Sequence, residues 1–190
     1  TFLAYSHLAT FALPSSPTGT PSLSLSLSSS TTNIHMNASD LSNNTFKTST
    51  LGINVKTNNT TGYTLSLSDN DEDTNLRSSN PSNTSSFSSI SSSTSPSSFL
   101  PNTWGYSLEN TVYKPIPKKS TPETIKTTTS PTASSGDNTN LTIGIKPSST
   151  ISSDTYSDIL EVSVVTNYVP REATFVSGSE FKSIIKDSSL

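Results

Sequence analysis

Asp69, Asp71, Asp73 and Asn75 stand at alternate positions in the stretch DNDEDTN. Oxygen-bearing side chains at that spacing are what a calcium loop turns, one after another, onto a single ion. The stretch departs from the full loop pattern, because Thr74 stands where the sharp turn wants glycine and Asn80 where a bidentate Glu closes the shell. The competing reading is a hairpin end, which collects acidic and amide residues because they bond their own backbone. The departures favour the hairpin end and leave calcium as the one cofactor to test.

Other chemistry finds little support. His7 and His35 are the only histidines, and neither stands near an acid pair or a serine motif of catalytic type. A nucleophilic triad needs a base oriented by a third group, so abundant serine supplies nothing by itself. Seven glycines leave no phosphate-cradling loop, and no enzymatic activity is expected. Lys56, Asn167 and Glu161 are the one trio with the residue types for a lysine–asparagine isopeptide, with solvent-facing strand residues as the plainer reading. Sequons for N-glycosylation fall at Asn37, Asn43, Asn58, Asn59, Asn83 and Asn140, many of them a by-product of composition.

Composition narrows the class. Over 190 residues only 29% are hydrophobic, while Ser and Thr exceed a third of the chain. Such polarity is common in disordered chains, but net charge is only -3 and the apolar residues fall in alternating runs, which points to a folded chain with a thin core. Eleven basic residues with no cluster beyond Lys118-Lys119 argue against nucleic acid. The absence of cysteine removes disulfides and thiolate sites, and no run approaches the roughly 18 apolar residues of a membrane-spanning helix.

The elements that must carry these residues are strands. SLSLSLS places Leu23, Leu25 and Leu27 on one face; Leu51, Ile53 and Val55 follow in phase, then Tyr63, Leu65 and Leu67, then Leu141, Ile143 and Ile145, then Leu160, Val162 and Val164. Trp104, the only tryptophan, lies in an aromatic island and is the core anchor to expect, together with Tyr63, Leu65 and Leu67. The Ser-rich segments 77–98 and 118–138 read as loops without regular structure. About seven to nine antiparallel strands, as an Ig-like or pilin-like β-sandwich, are the predicted fold. Phe181, Ile184 and Ile185 have the spacing of a short C-terminal helix, with Ser179 as its N-cap.

Three units follow: 1–21, 22–170 as the sandwich, and a tail 171–190. The first holds the most apolar dozen residues, TFLAYSHLATFAL, ahead of Pro14, Pro17 and Pro21. It reads either as a leader remnant or as a mature segment that needs a greasy place to sit.

TNNTTGYTLSLS, NTWGYSL and SDTYSDILEVSVVTN occur in that order, separated by Ser-rich loops. As a set over roughly 22–167 they resemble secreted β-sandwich surface proteins of candidate-phyla bacteria such as Saccharibacteria. The resemblance implies an exported, cell-surface fold and no particular activity. On the residues, two functions compete. In the first the chain is an extracellular filament subunit, in which Phe2, Leu3, Tyr5, Leu8, Phe11 and Leu13 form a strand donated to the next copy. In the second it is a monomeric adhesin or stalk module binding glycan or host protein. The exposed apolar segment on so polar a chain favours the first.

Overall fold

The computed structural model describes residues 2–8 and 22–167. The expected C-terminal helix, and Phe11 and Leu13 of the donated strand, lie outside them. Within them the chain forms eleven strands: β1 (Phe2–Leu8), β2 (Leu23–Leu27), β3 (Thr31–Thr32), β4 (Lys47–Thr57), β5 (Tyr63–Asp69), β6 (Leu76–Ser78), β7 (Ser86–Ser89), β8 (Thr103–Ser107), β9 (Glu123–Thr127), β10 (Asp137–Lys146) and β11 (Tyr156–Thr166). One layer runs β9-β5-β11-β1-β3 and the other β2-β4-β10-β8-β7. Short β6 pairs with both β11 and β7 and so joins the two at a corner. The fold is an all-β sandwich. Among the described residues no helix is long and apolar enough to cross a membrane.

Alternation accounts for the layers. Leu51, Ile53 and Val55 of β4, Tyr63, Leu65 and Leu67 of β5, Leu141, Ile143 and Ile145 of β10, and Leu160, Val162 and Val164 of β11 meet in one buried core. Leu23, Leu25 and Leu27 pack against it half-buried, as expected of β2 at the edge of its layer. Trp104 has no exposed surface, and its indole N–H donates to the Thr74 carbonyl at 2.9 Å. A buried indole needs such an acceptor, because an unmet donor is costly inside.

Three expectations need correction. The sandwich is not purely antiparallel, since β1 runs parallel to β11 and β7 parallel to β8. It has more strands than seven to nine, because the Ser-rich segments are not structureless: 77–98 carries β7 and a 3-10 turn at Pro96–Ser98, and 118–138 carries β9. These strands are only four and five residues long and hold a single apolar residue each, Phe87 and Ile125, so no hydrophobic period marks them. Backbone pairing, of β7 with β6 and β8 and of β9 with β5, orders them instead.

A second, smaller core covers the opposite face of β10. Ile90, Phe99 and Tyr113 are buried with Phe46 against them, and the three aromatic rings meet pairwise at centroid separations of 4.7, 5.2 and 5.4 Å. Residues 141–145 of β10 are therefore buried on both faces. One helical turn, α1 (Ala38–Ser42), is closed by a capping box in which Asn37 and Asp40 exchange backbone-to-side-chain bonds, both 2.9 Å.

Candidate functional site

Three places concentrate unusual chemistry: the far end of the β5–β11 pair, the turn at its near end, and the outer edge of β11.

At the far end, Asp69 and Asp158 continue the inward phase of β5 and β11, one step beyond Leu67 and Leu160. Carboxylates thus stand where the next core residues would be. Asp69 is 0% exposed. Its Oδ1 accepts the amide N–H of Asp71 at 3.3 Å, while Asp158 Oδ1 accepts that of Ile159 at 2.8 Å. Oδ2 of each is buried without a hydrogen-bond partner. The carboxyls face one another, and burial pushes both up from the ordinary carboxylate range, Asp158 further through the negative charge of Asp69. Asp71 adds a third negative charge that acts on both.

The alternate spacing in DNDEDTN builds a turn, not a shell. Asp71 Oδ1 accepts the Asp73 amide at 2.7 Å, and Asp73 itself is taken by the side chains of Asn75 and Arg77. The hydrogen bond from Arg77 holds Asp73 below the usual carboxylate range. Asp69, Asp71, Asp73 and Asn75 do not converge, and among the described residues no group of three or more His, Asp or Glu side chains is placed to hold a metal ion. Backbone amides take one oxygen of Asp69 and one of Asp71, and side chains take Asp73, the outcome that a missing turn glycine and closing Glu make natural. Asp158 escaped the sequence reading. The signal was its phase, since it lies on the same face as Leu160, Val162 and Val164.

At the near end, two of the three quoted motifs meet. Asn59 is buried, and its amide donates to Thr61 Oγ1 at 3.0 Å, to the Gly62 carbonyl at 2.6 Å and to the Asn167 carbonyl at 3.1 Å. Asn167 donates to the Thr61 and Thr128 carbonyls at 2.9 and 2.6 Å and accepts from Thr64 Oγ1 at 2.7 Å. Gly62 has φ +77°, and a Cβ there would lie 2.4 Å from the Thr128 carbonyl oxygen, so both conformation and space require glycine. Asn167 is thus fully engaged in holding a turn, and Lys56 is exposed. The isopeptide trio does not form.

The same geometry sorts the sequons. Asn59 is buried and its amide nitrogen saturated, which excludes a glycan on the folded chain. Asn83 donates to Asp154 and to the Tyr156 hydroxyl, both at 3.0 Å, and is half-buried. Asn37, Asn43, Asn58 and Asn140 are exposed. His35 is exposed on the segment before α1, with no acid beside it in a catalytic arrangement.

On the outer edge of β11 lies the N-terminal strand. Residues 2–8 pair in parallel with 158–164, from Phe2 against Asp158 to Leu8 against Val164, and Phe2 and Leu3 also pair antiparallel with Thr32 and Thr31. β1 therefore fills a slot between β11 and β3. Of the expected interface residues, Phe2, Leu3, Tyr5 and Leu8 fall within this ladder. Elsewhere a cavity of about 250 Å³ opens at one end of the sandwich, with Met36, Phe87, Trp104, Ile145 and Tyr156 among its walls.

Compared with protein-family models, curated proteins and solved structures, the chain matches none.

Proposed function

We propose that the protein is the repeating subunit of an extracellular bacterial filament, in which residues 2–8 of one copy fill the slot between β11 and β3 of the next. What supports the reading is the seven-position ladder between β1 and β11. It joins the chain's first strand to its last described one, so no short loop ties the two together. An element of that kind exchanges between copies with every backbone bond preserved. The linker of residues 9–21, with three prolines, reaches up to about 40 Å when extended. Each copy gives one strand and receives one, a head-to-tail contact that does not close and so propagates as a fibre. Main-chain bonds supply the linkage and the apolar N-terminal residues add burial, about 1.5–3 kcal/mol for each large side chain. The motif resemblance supports an exported, cell-surface setting.

The alternative is a monomeric adhesin or stalk module, and the cavity beside Phe87 and Tyr156 is the observation that favours it. Deleting residues 1–13 separates the two. Negative-stain electron microscopy of the purified full chain should show fibres that vanish on deletion. Dispersed particles in both samples, with ligand binding retained, would support the adhesin and overturn the filament.

A further inference from the structure

β11 changes partners at Asp158 and Ile159. Tyr156 and Ser157 pair with β6, at the corner that joins the two layers, and residues 160–166 pair with β5, beginning with Leu160 against Asp69. The β1 ladder starts at the same point, with Phe2 against Asp158. Two carboxyls occupy this corner. Asp69 is wholly buried, and Oδ2 of each acid is enclosed without a donor. Among the described residues no cation answers them, since none of the four ion pairs includes Asp69 or Asp158. Arg77 of β6 is bound to Asp73, and Lys118 and Lys119, beyond the Pro117 carbonyl that takes the Asp69 amide, are exposed. Glu72 is held by Ser120, Glu161 lies on the other face of β11, and exposed Asp71 adds only like charge.

We propose that Asp69 and Asp158 share a single proton and act as a pH-sensitive latch, closing the corner between β5, β6 and β11 in acid and loosening it when that proton leaves. A carboxylic acid that donates to a carboxylate satisfies both enclosed oxygens and leaves one charge in place of two. Two carboxylates held together away from water repel and keep two acceptors unmet. Burial, and for Asp158 also the charge of Asp69, holds the proton on the pair above the ordinary carboxylate range. The two titrate as a unit, so the proton belongs to neither acid alone. In the unfolded chain both ionise near the ordinary value, about 3.9. The latch therefore contributes its full stability below about pH 4 and loses it as pH rises through the raised folded value. That loss falls first on the rungs around Asp158, which include the entry of β1, and it does so whether β1 comes from the same copy or the next.

The test is the melting temperature of the full chain between pH 5 and pH 8.5, followed by circular dichroism, for the wild type, Asp158→Asn and Asp69→Asn. An amide in place of one carboxyl donates to the other at every pH, so each variant mimics the protonated pair. The wild type should lose about 5 °C or more over this range, and Asp158→Asn less than half as much, so that the variant melts higher at pH 8.5. Exposed His35, and His7 opposite Ser163, are common to both chains, so their titration cancels in the comparison. Hydrogen exchange at pH 8.5, read by mass spectrometry, should be faster in the wild type than in Asp158→Asn at residues 69–71 and 156–160 and unchanged in β4 and β10. Should Asp158→Asn fail to fold, Asp69→Asn takes its place, and the wild-type melting curve is decisive by itself if it is flat. A wild-type melting temperature that does not fall, a fall that the folded variants retain, or an exchange difference spread evenly over the sandwich would overturn the latch.

Discussion

Asn59 and Asn167 are 108 positions apart, yet together they lock the turn between β4 and β5 to the end of β11. Their side chains satisfy carbonyls that strands leave unpaired at their ends, a debt that a buried turn must settle. Asn167→Ala is expected to lower stability by about 1–3 kcal/mol in urea denaturation, because the Thr61 and Thr128 carbonyls lose their donor. Asn59→Ala should cost a similar amount, and the double variant less than the sum, since both serve one network. Additive losses would show that the two act separately. At this scale the sequence was partly legible. The residues in TNNTTGY and VVTN stood out as a pattern, but their role did not, because hydrogen bonds between distant amides and carbonyls leave no local period. Asn59 read as a sequon and Asn167 as an isopeptide partner, and both are used up in holding a turn.

Among elements, the long strands were visible because each places three apolar residues in phase, while β7 and β9 were hidden by their length and polarity. The extra aromatic core of Phe46, Phe99 and Tyr113 was hidden for another reason: its members come from loops, where spacing carries no phase. Short α1 offers an element-scale prediction. Asp40 is held below the ordinary carboxylate range by the backbone bond from Asn37 and then by Lys47, 3.0 Å away. A depressed carboxylate contributes stability that is present above its unfolded value, about 3.9, and is lost as pH falls through the lower folded value. Asp40→Asn should therefore lower the melting temperature at pH 7, with the gap to the wild type closing as pH drops below about 4. A gap that stays constant with pH would mean that the charge of Asp40 contributes nothing.

For the whole molecule, the sandwich followed from alternation and polarity, whereas the place of the N-terminal segment did not. Its apolar residues showed that it needs cover, but a parallel strand beside the far end of the chain is a tertiary fact with no local signature. That slot is what makes exchange between copies the favoured reading. The chain's lack of cysteine allows a direct test. Tyr5 and Glu161 are register partners in the ladder, within reach of a disulfide between paired strands. A chain carrying both Tyr5→Cys and Glu161→Cys, oxidised at high concentration and run on a non-reducing denaturing gel, reports which copy supplies the strand. Strand donation predicts a ladder of covalent multimers that collapses to monomer on reduction. A disulfide confined to the monomer would contradict it.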